Sequence, residues 1–158
     1  MARRSGVPRR EAPPAKIPTM LMTGSCHCGN VTFKLDWRPE PTTIPARACG
    51  CSFCVKHGGV WTSCPTGHLR VAVLSPERVS RYEFGTKTAQ FHICMNCGVV
   101  PLVTSLIEAR VFAVVSINAL DDLDLARLDR KPASFDGESE GDRLSRRQRN
   151  WIGNVEFA

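Results

Sequence analysis

Seven of the eight cysteines in this 158-residue chain fall into tight groups. That grouping limits the fold more than any other feature. Cys26 and Cys28 are separated by one residue, Cys94 and Cys97 by two, and Cys49, Cys51 and Cys54 lie within six positions; Cys64 stands alone. Neighbours this close make strained disulfides if bridged to each other, whereas thiolates at these spacings converge on a metal. No secretory signal is visible: residues 1–20 contain Arg3, Arg4, Arg9 and Arg10 but no apolar centre. In a reducing compartment metal binding is therefore favoured over a disulfide scaffold, and zinc over an iron–sulfur cluster. The expected location is cytoplasmic. A mitochondrial presequence is disfavoured because Pro8, Pro13, Pro14 and Pro18 would break its helix.

The formal charge of +6 does not by itself point to nucleic acid. Arg3, Arg4, Arg9, Arg10 and Lys16 stand against Glu11 alone, so most of the excess sits in residues 1–20, read as a disordered Pro-rich tail. Met20 and Met22 immediately precede the first cysteine pair, and either can serve as a start. Residues 21–158 are expected to form one domain. Few aromatic residues interleave with its basic ones, so a nucleic-acid platform is not expected. No apolar run is long enough to span a membrane.

The rest reads as mainly β. Val31, Phe33, Leu35 and Trp37 alternate with polar residues, as in a half-buried strand. Leu69 to Val73, Tyr82 with Phe84, and Phe91 with Ile93 suggest three more strands. Arg110 to Ser116 reads as a strand buried on both faces. Asp121 to Asp129 suggests a short helix or an irregular turn. From Gly141 onward, Leu144, Trp151, Ile152 and Val155 fall at helical spacing, predicting a terminal amphipathic helix that solvates Arg143, Arg146, Arg147 and Arg149, with a polyanion-binding face as the alternative.

Cys26-His27-Cys28-Gly29 and Cys94-Met95-Asn96-Cys97-Gly98 each present two thiolates and end in glycine, which permits the positive φ that a tight turn needs. Together they make a closed four-thiolate site with a structural role. The Cys49, Cys51, Cys54 group has two readings. Three thiolates leave an open position, as a catalytic zinc requires; alternatively Cys64 closes the site and both metals are structural.

These stretches, with Thr23-Gly24-Ser25 before the first pair, resemble the family of glutathione-dependent formaldehyde-activating enzymes, which includes centromere protein V, across residues 22–118. The resemblance implies a compact zinc-stapled β-fold related to that of methionine sulfoxide reductase B. It implies two zinc ions per chain: a structural one on Cys26, Cys28, Cys94 and Cys97, and a catalytic one on Cys49, Cys51 and Cys54. It also implies a carbon–sulfur lyase-type activity joining a thiol such as glutathione to formaldehyde or a related small aldehyde. The chain departs from the family after the third cysteine, where Val55-Lys56-His57-Gly58-Gly59 carries one basic residue fewer than usual. His57 is a candidate proton shuttle, Lys56 reads as surface charge, and Trp61 as core. The competing readings are a zinc-stabilised binding module without catalysis and a redox protein using Cys64. A cleft is expected beside Cys49 to Gly59, since two substrates must be held together.

Overall fold

The computed structural model describes residues 16–158, so the tail expected at 1–20 lies outside the described residues as far as 15. Two sheets carry the fold. The first has β1 (Met20–Ser25), β2 (Val31–Trp37), β5 (His68–Val73) and β11 (Asn154–Phe157), in the order β1-β2-β5-β11. The second is ordered β10-β3-β4-β9-β8-β7-β6, formed by β3 (Ile44–Cys49), β4 (Val60–Thr62), β6 (Val79–Tyr82), β7 (Gln90–Cys94), β8 (Leu102–Ile107), β9 (Arg110–Ser116) and β10 (Leu128–Ala133). Two helices, α1 (Ser52–His57) and α2 (Glu140–Asn150), complete it, with short 3-10 turns that include Leu125–Arg127 in the Asp-rich segment.

Alternation explains the first sheet. Val31, Phe33, Leu35 and Trp37 are buried, while Thr32 and Lys34 are exposed. Their apolar face meets Leu69 and Val71 of β5 and, across the sheet interface, Ile44, Leu102, Ala113 and Val115. The second sheet is buried on both sides at its central strands β4, β8 and β9, as the unbroken apolar run of β9 requires, while its edge strands β6 and β10 are largely exposed. Its other face, with Trp61, Phe91, Val103 and Val114, packs with Cys54 of α1 and Trp151 just beyond α2. Gly24 is enclosed by the ring of its cross-strand partner Phe33 and by the turn after β9: a Cβ there would stand 2.2 Å from the Phe33 ring and 2.5 Å from the Ala119 carbonyl oxygen.

The C-terminal segment differs from its sequence pattern. Ser139 caps α2, its hydroxyl accepting from the Asp142 amide, and the helix stops at Asn150 rather than continuing through Ile152 and Val155. Ile152 instead exchanges two backbone hydrogen bonds of 2.9 Å with Ala113, and β11 pairs in parallel with β5. Sheet hydrogen bonds outcompete another helical turn here. Nor are all the arginines solvated: Arg147 lies on the same helical face as Leu144 and Trp151 and is 6% exposed. β1 begins at Met20, so the ordered fold starts inside the expected tail boundary.

Candidate metal centres and cleft

The first cysteine group joins the two sheets. Cys26 and Cys28 sit in the β1–β2 turn of one sheet, Cys94 and Cys97 in the β7–β8 turn of the other. Both turns have the same build. Gly29 and Gly98 each take φ of 77°, and their amides close the turns onto the Cys26 and Cys94 carbonyls at 3.0 and 2.7 Å. All four sulfurs lie within 4.8 Å of one another, with Cys26–Cys28 at 3.7 Å and Cys28–Cys94 at 3.5 Å. A tetrahedral ion with sulfur bonds near 2.3 Å sets its ligands about 3.8 Å apart, so the donor set fits zinc. The Val31 amide donates to Cys26 Sγ at 3.3 Å, a bond that favours the thiolate. Burial outweighs it and pushes the Cys26 thiol up to about 12. The Cys97 thiol is drawn down to about 6: burial opposes this, but the Val99 and Cys28 amides prevail.

The second group is built by the entry into α1. Cys51 is the helix cap, its sulfur accepting from the Cys54 amide at 3.4 Å. Cys49 ends β3. The three sulfurs again lie within 4.8 Å of one another, a spacing that fits three ligands of one ion. Cys54 is buried and accepts a hydrogen bond from Trp61 Nε1 at 3.3 Å. The group shares its protons unevenly. A hydrogen bond from the Cys54 thiol draws Cys49 down to about 5, and the same bond together with burial pushes Cys54 up.

Cys64 belongs to neither group. It is 4% exposed, with its sulfur against the Arg38 carbonyl at 3.5 Å and the Thr66 hydroxyl at 3.4 Å. His57 has Nδ1 on the Phe53 carbonyl at 2.8 Å, Nε2 buried without a partner, and its ring against Phe53. It does not line the cleft described next. Lys56 is exposed, as surface charge should be.

Cys49, Cys51 and Cys54 all border a cleft of about 590 Å³. Its floor is apolar: Trp61, Phe84, Phe91, Val103, Val114 and Trp151. Trp61 is thus both core and cleft wall, where the sequence favoured core over a pocket wall. Arg47 of β3 and Arg143, Arg146 and Arg147 of α2 form a cationic side. Those arginines converge from distant segments: the sequence pattern favoured a solvated helix face for Arg143, Arg146 and Arg147 over an anion-binding one, and it did not mark Arg47.

Trp61→Phe keeps an aromatic side chain, though a smaller one, and removes the bond to Cys54 Sγ. Partners of metal ligands typically tune affinity about tenfold or more. The variant should therefore yield metal from the second group to a competing chelator at about tenfold lower chelator concentration, with the first group unaffected.

This is a two-sheet β protein with two cysteine groups that could each hold a metal ion, one between the sheets and one bordering a cleft. The model of the glutathione-dependent formaldehyde-activating enzyme family matches residues 21–134, and the chain belongs to that family. It is also similar to a Rhodobacter sphaeroides protein of known crystal structure, at 29% identity and a TM-score of 0.55, over 70% of this chain and 98% of that one. α2 and β11 lie beyond the family match.

Proposed function

We infer that the protein adds a small thiol to formaldehyde or a related aldehyde, with zinc on Cys49, Cys51 and Cys54 as the reactive centre and zinc on Cys26, Cys28, Cys94 and Cys97 as a structural staple. The observation that carries this reading is that all three sulfurs of the second group border the cleft, while Cys64 is bonded elsewhere. Zinc held there would lower the pKa of an approaching thiol so that thiolate exists at neutral pH.

The chain's own residues do the rest. Cys51 at the start of α1 and the Trp61 indole fix the three sulfurs in place. The apolar floor displaces water, and the cleft walls hold thiol and aldehyde as neighbours, which lowers the entropy cost of their encounter. In the reaction the thiol sulfur bonds to the aldehyde carbon, the carbon–oxygen double bond becomes a single bond, and the thiol's proton ends on that oxygen. The product is a hydroxymethyl thioether, and the reverse breaks the carbon–sulfur bond. His57 is bonded to the Phe53 carbonyl and does not line the cleft, so its part is to hold α1 rather than to carry the proton. Residues 21–158 act as one unit in this reading, because α2 completes the cleft that the family-matched segment begins. Reduced thiolates at both centres suit a cytoplasmic setting. No helix among the described residues is long and apolar enough to cross a membrane.

The test is exchange spectroscopy on carbon-13 formaldehyde mixed with thiols and zinc-loaded protein. The expected result is faster interconversion of aldehyde and hydroxymethyl adduct than without protein, lost in Cys54→Ser. Equal exchange with wild type and Cys54→Ser would remove the reading.

A further inference from the structure

The arginines that line the cleft, Arg47 of β3 and Arg143, Arg146 and Arg147 of α2, are not all matched by carboxylates. Glu138 takes Arg146 through bonds of 2.8 and 3.0 Å and lies 4.0 Å from Arg143 Nε. Asp136 borders the cleft but bonds to the Ser134 hydroxyl. Arg47 and Arg147 have no carboxylate partner among the described residues. Arg47 donates to the Ser63 hydroxyl at 2.6 Å. Arg147, 6% exposed, gives its Nη1 to the Thr88 carbonyl and hydroxyl, both at 2.8 Å, and to the Ser105 hydroxyl at 3.2 Å. Its Nε is buried with no partner at all. Burial first, then repulsion from Arg146 and Arg143, lowers its pKa to about 10, which leaves it charged at neutral pH.

Glu138 offsets part of this from a distance, but a desolvated cation with no carboxylate in contact is costly, and one facing a ligand-sized cleft is best explained by an anion that arrives with the ligand. Guanidinium forks favour carboxylates, which accept two parallel hydrogen bonds. The rest of the cleft offers Trp61, Phe84, Phe91 and Trp151 to an apolar body.

We propose that Arg47 and Arg147 form an anion subsite in the cleft that Cys49, Cys51 and Cys54 border, and that the molecule brought to those cysteines is an organic thiol carrying a carboxylate on an apolar body. The word thiol rests on the function inferred above; the anion subsite does not. α2 then acts as a specificity element added beyond the family-matched segment.

The test uses the zinc-loaded full chain and non-reactive probes, read by calorimetry and by the fluorescence of Trp61 and Trp151. 3-Phenylpropanoate should bind about tenfold or more tightly than 3-phenylpropanamide, the scale of a charge-assisted hydrogen bond. It should also bind more tightly than inorganic phosphate and at least as tightly as glutathione. Arg47→Gln should erase most of the acid-over-amide preference while leaving amide binding unchanged, and Arg47→Lys should restore part of it. Arg147→Gln should do the same where it folds; Arg47 keeps the test decisive where it does not. Equal affinity for acid and amide, or a folded Arg47→Gln protein with the wild-type preference, overturns the subsite. Phosphate or glutathione binding more tightly than phenylpropanoate overturns the apolar body. Carboxylate binding that survives alongside a cobalt-substituted second centre blind to added thiols would instead overturn the thiol chemistry and leave the subsite standing.

Discussion

Cys97→Ser is expected to leave the chain unfolded, aggregated, or melting at least about 10 °C lower, with the loss of one zinc per chain. The scale follows from topology. Cys26 and Cys28 belong to the turn of one sheet, and Cys94 and Cys97 to the turn of the other. The interface those turns flank is apolar, running from Phe33 and Leu35 to Leu102 and Val115. Structural zinc contributes on the order of 10 kcal/mol of binding free energy in small domains, comparable with the whole stability of an ordinary fold. Serine has nearly the shape of cysteine but is a poor zinc ligand, so packing is hardly altered and the metal alone is tested. Thermal melts with metal analysis decide the matter. A soluble Cys97→Ser protein with two zinc and an unchanged melting temperature would remove the staple. Wild type treated with a strong chelator should reproduce the variant's behaviour.

How much of this was legible in the sequence depends on whether a feature is local. The strand Val31–Trp37 shows its burial in its own alternation, and Arg110–Ser116 in its continuous apolar run. The turns at Gly29 and Gly98 were equally readable, because a thiolate pair followed by glycine has few ways to fold. β3 and β10 were not. Ile44-Pro45-Ala46-Arg47-Ala48-Cys49 has little strand propensity, and Leu128–Ala133 contains Pro132 among charged residues. They are strands because each pairs with the other, and because β4 reaches β3 only at Arg47 and Ala48, leaving Pro45 clear of a second neighbour. The cysteines of the candidate site were visible from spacing, but the cleft was only expected beside them. Its cationic side is built from β3 and α2, nearly a hundred positions apart in the chain. Nor can helical periodicity tell a solvated arginine from a buried one, and Arg147 is the case in point.

The sharpest contrast should come from two serine substitutions made in parallel. Cys54→Ser should lose the second metal, because it removes one of three converging sulfurs, the one that the Trp61 indole supports. Cys64→Ser should retain close to two zinc per chain, since its sulfur faces the Arg38 carbonyl and the Thr66 hydroxyl and lies outside both groups. The physical question is whether the second centre is closed. A tetrahedral site with four protein thiolates has no exchangeable position, and an incoming thiol must first displace one of them. A site with three can accept a small thiol directly. Cobalt in place of zinc reports the difference, because its visible absorption follows ligand identity and geometry. Millimolar thiol should change the spectrum of wild type and of Cys64→Ser alike, and should find nothing to change at the second centre of Cys54→Ser. If instead Cys64→Ser releases metal and the wild-type spectrum ignores every thiol, Cys64 is a fourth ligand in solution. Both metals would then be structural, and the cleft beside Cys49 would belong to a binding module rather than an enzyme.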